Sequence, residues 1–120
     1  MMADKATFRV RKANPQVSVI EVEGQITAFV EDLLMKAYAE ATQGSPAVII
    51  FDFNKMNFIN SSGIGLLVTL LVRSRRSNQQ LFAFGLNEHF QYVFELTRLN
   101  EVIRLFKTED EAMQAVAQPE

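Results

Sequence analysis

Residues Ala47-Val48-Ile49-Ile50-Phe51 form an unbroken apolar run rich in strand-forming side chains. That is the pattern of a strand buried on both faces, which needs a covering layer on each side of its sheet. Gly44-Ser45-Pro46 separates the run from the segment before it, and the polar stretch Asp52 to Asn60 follows it. The spacing of apolar residues in the flanking segments identifies the remaining elements.

Upstream, Thr7 to Lys12 alternates, with Phe8 and Val10 on one face, as a strand does. Asn14-Pro15-Gln16 reads as a turn and Val17 to Glu23 as a second strand, ended by Gly24. The register of that strand is ambiguous, because Val17 and Val19 share one face while Ile20 and Val22 share the other. From Ala28 to Ala41 the spacing is helical: Val30, Leu33, Leu34, Ala37, Tyr38 and Ala41 oppose Glu31, Asp32, Lys36 and Glu40.

Downstream, Asp52 to Asn60 is expected to be a polar loop anchored by Met56, Phe58 and Ile59. Ser61-Ser62-Gly63 opens a helix from Ile64 to about Ser77, apolar over most of its girth and ended by Arg73, Arg75 and Arg76. Gln80 to Leu86 reads as a strand, and Asn87 as the N-cap of a helix lined by Phe90, Val93, Phe94 and Thr97. Ile103 to Phe106 is a short strand, and Thr108 to Glu111 fits a capping box that opens a last helix. The order β-β-α-β-α-β-α-β-α implies an α/β fold with one mixed sheet of about five strands and about four helices. An antiparallel edge hairpin is followed by mainly parallel strands joined by right-handed crossovers. With 120 residues the chain suits a single domain, 1–120, with its core at about 7–117 and a few flexible residues at each end.

The segment from Asp52 to Gly65 carries the chemistry. It leaves the end of a buried strand, where ligands and partners gather in open α/β sheets, and enters a helix. On one reading Ser61 or Ser62 merely caps that helix, and Gly63 and Gly65 allow close packing. On the other, two adjacent hydroxyls exceed what a cap needs and lie where a helix N-terminus would stabilise a phosphoryl group. Phosphorylation would add about −1.5 to −2 of charge to a chain whose formal net charge is −2.

Here the sequence resembles the STAS domain family, named for sulfate transporters and anti-sigma factor antagonists. Asp52, Met56, Phe58, Ile59, Ser61, Ser62, Gly63, Ile64 and Gly65 match the family motif, and the element order resembles the family from about Phe8 to Val116. The resemblance implies an anti-sigma factor antagonist whose unmodified form binds an anti-sigma factor serine kinase and so frees a sigma factor. It implies Ser61 as the phosphoacceptor, with Ser62 as second choice, and a phosphoserine phosphatase that resets the cycle. It also implies a partner surface of Gly24, Thr27, Asn60, Ser61, Ser62, Gly63, Ile64 and Gly65. Two positions depart from the family pattern: Asn60 and Thr27 stand where aspartates are usual.

Rival classes find less support. No cysteine is present, so disulfides and thiolate sites are excluded. His89 is the only histidine, with no nucleophile elbow or zinc pattern around it, and it is expected on a helix surface. No catalytic residue, metal or cofactor is expected, and the chain is read as not an enzyme. The acidic balance argues against nucleic acid, since the arginines near residue 75 suit a helix C-terminus. Phe82, Phe84, Phe90, Phe94 and Phe106 fall at core spacings. No apolar stretch reaches the ~20 residues of a membrane span, so a cytoplasmic monomer or weak dimer without membrane insertion is expected. The alternative within the resemblance is a scaffold subunit of a stress-signalling or lipid-transport complex, without a phosphoswitch.

Overall fold

A computed structural model describes residues 6–117. The expectation of flexible ends falls largely on residues outside that range. Strands β1 (Ala6–Asn14) and β2 (Val17–Ile26) form the antiparallel hairpin. Its turn is fixed by the Gln16 N–H donating to Asn14 Oδ1 at 2.8 Å. A 3-10 turn, Ala28–Val30, leads into helix α1 (Glu31–Ala41), then β3 (Val48–Ile59), α2 (Ser61–Arg76) and β4 (Gln80–Phe84). Helix α3 (Glu88–Leu96), a 3-10 turn at Leu99–Glu101, β5 (Arg104–Phe106) and α4 (Glu109–Ala117) complete the order. The five strands lie in the order β1-β2-β3-β4-β5, with every pair after the first parallel.

Two apolar layers explain the double-sided strands. Ile20, Val22, Ile49, Phe51, Phe53 and Leu81 face a core shared with α1, α2 and α3. Val17, Val19, Val48, Ile50, Phe82 and Phe84 face the opposite way, against Ala112 of α4. The ambiguous register of β2 therefore reflects burial on both faces. Phe90 and Phe94 enter the first layer, while Phe106 is half-buried against Phe82 with ring centroids 5.2 Å apart.

Non-local polar contacts tie the layers together. Helix α1 has no basic residue in its last turn. Lys12 of β1 supplies the cation, donating to the carbonyls of Ala41 at 2.9 Å and Gln43 at 2.6 Å, where the helix dipole favours positive charge. Arg11 donates to Glu21 of β2 at 2.9 Å and to Glu109 at the start of α4 at 3.0 Å. Those two carboxylates raise the guanidinium pKa, so it stays charged at any ordinary pH.

The stretch expected as a loop is a strand. β3 continues from Asp52 to Ile59, and Glu23, Gly24, Gln25 and Ile26 pair with Lys55, Met56, Phe58 and Ile59. Two register shifts interrupt this pairing. Its buried residues, Phe53, Met56 and Ile59, consequently recur every three positions, and strict alternation, the usual sign of a strand, is lost. β4 accompanies β3 only from Val48 to Asp52, so the extension runs along one neighbour and exposes its polar residues. Phe58, expected as an anchor, is 44% exposed.

Candidate functional site

The site forms where β2 and β3 end side by side. Ile26 pairs with Ile59, and each strand then leaves through an extended residue whose side chain caps the helical turn that follows. Thr27 Oγ1 accepts from the Phe29 N–H at 3.2 Å. Asn60 Oδ1 accepts from the Gly63 N–H at 2.9 Å, while the Asn60 carbonyl takes the Ile64 N–H at 2.9 Å. The Asn60 N–H donates to the Ile26 carbonyl at 3.4 Å, joining the two exits.

Asn60 therefore caps α2, correcting the reading that gave this task to Ser61 or Ser62. Asn60 is the last extended residue, with φ −110° and ψ −175°, and Ser61 lies already within the helix, so the serine hydroxyls are displaced from the capping position. Both serines are exposed in the first turn, and neither hydroxyl makes a hydrogen bond among the described residues. The two residues that stand where the family pattern has aspartates, Thr27 and Asn60, keep the capping geometry and carry no charge. The exposed hydroxyls thus lie in the first turn of a helix, where the dipole and the free N–H groups of a helix start favour an added anion.

Gly63 brings α2 onto the end of β2. A Cβ there would overlap the Ile26 carbonyl oxygen and come within 2.8 Å of Ile59 Cγ1. Gly65, one turn beyond Ser61, is exposed, and a Cβ there would meet nothing within 4 Å. Close packing within the chain explains the first glycine and leaves the second unexplained. Ile64 is half-buried. Gly24 lies apart, between Ala6 of β1 and Met56 of β3 at a register shift, with φ +103°. Its positive φ suits glycine, giving it a backbone role in how β2 reaches Thr27. The structure thus brings Thr27, Asn60, Ser61, Ser62 and Gly63 together and leaves Gly24 outside the cluster.

One residue at the rim escaped the sequence reading, and a second was read as an anchor and not as exposed surface. Phe29 is 86% exposed on the 3-10 turn that packs against α2, and Phe58 is exposed three residues before Ser61. Phe29 lay outside the apolar stripe assigned to α1; an aromatic off the buried stripe was the available signal. Elsewhere His89 is exposed on α3 beside the Phe90 ring. Among the described residues no group of three or more His, Cys, Asp or Glu is placed to hold a metal ion. No helix among them is long and apolar enough to cross a membrane.

The cap assignment makes a direct prediction. Asn60→Ala should lower unfolding free energy by about 0.5–2 kcal/mol, whereas Ser61→Ala should stay within about 0.5 kcal/mol of wild type. Urea unfolding of the two variants measures both; the reverse ranking would return the cap to Ser61.

Comparison with known proteins agrees with this fold. The family model of the STAS domain matches residues 9–112. The anti-sigma-B factor antagonist of Listeria monocytogenes serovar 1/2a is 26% identical over 92 residues, covering 77% of this chain and 81% of that protein. The crystal structure of an anti-sigma factor antagonist from Mycobacterium paratuberculosis is similar with a TM-score of 0.83 at 23% identity, covering 96% of this chain and 97% of that one. The Bacillus cell fate determinant SpoIIAA in its phosphorylated form gives 0.70 at 22% identity, covering 92% of this chain and 99% of that one. At these identities the two structures show a shared fold.

Proposed function

We propose that this chain, which belongs to the STAS domain family, is an anti-sigma factor antagonist switched by phosphorylation of Ser61. Its unmodified form binds an anti-sigma factor serine kinase and thereby releases a sigma factor. The kinase transfers the γ-phosphoryl group of ATP to Ser61 Oγ; the hydroxyl loses its proton and ADP departs. A phosphoserine phosphatase hydrolyses the ester and restores the binding form. Such a protein works by association, without an active site of its own.

The observation that carries this reading is the exposed, unbonded hydroxyl of Ser61 at a helix start already capped by Asn60. A kinase has access to that oxygen, and its modification leaves the cap in place. Further support comes from the likeness to proteins named as anti-sigma factor antagonists in Listeria and Mycobacterium. The scaffold alternative treats Ser61 as a cap, and that treatment loses its basis once Asn60 is seen in the role.

To test the switch, the chain is incubated with ATP and each anti-sigma kinase of its host, and the product is mapped by mass spectrometry. A single phosphate on Ser61 is expected. Modification of Ser62 would move the acceptor by one residue; no modification by any host kinase would remove the switch.

A further inference from the structure

Helix α2 presents one straight outward stripe. Ser61, Gly65, Val68, Val72 and Arg76 are all exposed, and their spacing of four, three, four and four residues keeps them on a single helical face. The stripe is about 22 Å long. Val68 is 43% exposed and Val72 45%, apolar surface left open in the middle. Beside the upper end stands Phe29, the most exposed of the large apolar residues described.

Gly65 breaks this stripe. Glycine in a helix interior is disfavoured relative to alanine by about 1 kcal/mol, and conserving backbone freedom explains nothing here, since the helix is regular and φ is not positive. No neighbour within 4 Å would obstruct a methyl group. The carbonyl of Gly65 accepts from the Thr69 hydroxyl at 3.1 Å, a contact that any residue at 65 would keep. Nothing in the chain needs the missing side chain, so the hollow it leaves faces outward only.

Charge selects what lies along the stripe. α2 contains no acidic residue and ends in Arg73, Arg75 and Arg76, none of which forms an ion pair among the described residues. The dipole of α2 accommodates these cations, yet they leave a surface of one sign for a partner to match.

We propose that Gly65 is a docking notch: it receives a bulky apolar side chain from an amphipathic helix of the kinase partner, which lies along Ser61, Gly65, Val68 and Val72 with acidic residues against Arg76. The notch rests on the kinase reading above and adds to it the register and polarity of docking. Removing a side chain from one helix lets a second approach more closely at that point, and a helix set into an apolar groove makes contacts at this spacing. A fixed register would deliver the same part of the kinase to Ser61 in every encounter.

The test uses the full chain and the purified host anti-sigma kinase that modifies Ser61, with ADP present. Gly65→Ala should raise the melting temperature by about 3 °C and yet weaken kinase binding. Gly65→Leu should weaken it about 10- to 100-fold through overpacking. Arg76→Glu should also lower affinity, with the loss reduced at high salt. Gln114→Leu, on α4 across the sheet, is the control for added apolar bulk and should bind as wild type. Wild-type affinity in Gly65→Leu, with Ser61 still phosphorylated in the parent chain, overturns the notch alone. A lower melting temperature for Gly65→Ala also overturns it, because the glycine would then serve the fold. A parent chain that no host kinase binds overturns the notch together with the reading beneath it.

Discussion

Replacing Gly63 by alanine is expected to cost about 3–5 kcal/mol of stability, or to force the start of α2 away from the sheet. The added Cβ would overlap the Ile26 carbonyl oxygen and approach its carbon to 2.9 Å. The backbone at the end of this parallel pair has little room to retreat, because Ile26 is held by pairing with Ile59 and its carbonyl accepts from the Asn60 N–H. Moving α2 instead would strain the Asn60 cap and lift Leu66, Leu67 and Leu70 from the core they share with α1 and α3. Overpacking of this kind usually costs about 1–3 kcal/mol, and loss of cap and core contacts adds to it. The contrast with Gly65→Ala, two residues away, should be a change of sign in denaturant midpoint. Unchanged stability for Gly63→Ala would mean that α2 and β2 are not locked together.

That contrast also separates what the sequence exposed from what it concealed. The motif Ser61-Ser62-Gly63-Ile64-Gly65 marked the site, and its two glycines looked alike; only the position of the Ile26 carbonyl tells them apart. Asn87 was legible as a cap because polar side chain, spacing and apolar helix all agreed, and its Oδ1 accepts from Phe90 at 2.9 Å. Thr108 was legible for the same reason, accepting from the Glu111 N–H at 3.2 Å. Around Asn60 three consecutive good capping residues compete, and which is last in extended conformation depends on where β3 ends. That end was hidden, because the register shifts against β2 break the alternation by which a strand is recognised.

Contacts between distant segments were the other concealed part. Arg11 and Glu109 are 98 residues apart in sequence, and no local pattern links them. The same holds for Lys12 and the end of α1. By contrast, the alternation of strands and helices and the apolar run through Phe51 specified the layers directly. Local rules fixed the elements apart from the end of β3, while the tertiary arrangement decided which polar group serves which backbone end.

Phosphorylation of Ser61 is expected to weaken kinase binding by about 100-fold or more without unfolding the chain. The surface around the hydroxyl is uncharged at the half-buried Asn60, which sits beside the buried Thr27, and apolar at Phe29 and Phe58. A phosphoryl group there brings about two negative charges, which a docking partner must dehydrate. Desolvating an ion costs several kcal/mol unless the partner supplies compensating charge, and about 2.7 kcal/mol suffices for a 100-fold change. The N-terminus of α2 works the other way in the free protein, stabilising the anion by about 0.3–1 kcal/mol. The modified chain should therefore be slightly more stable and much weaker in binding, a pairing that damage to the fold would not produce. Ser61→Asp, with one charge, should show a smaller loss of affinity in the same direction. Calorimetric titration of kinase with the unmodified, phosphorylated and Ser61→Asp chains gives the series, and equal affinities across it would sink the electrostatic switch. Asn60→Asp separates charge from modification: the cap survives, since asparagine and aspartate cap about equally well, while a carboxylate appears beside the hydroxyl. The family pattern carries aspartate at this position, so affinity and stability should both stay near wild type; a loss of affinity would mean that any fixed charge on this rim, and not the phosphoryl group alone, weakens docking.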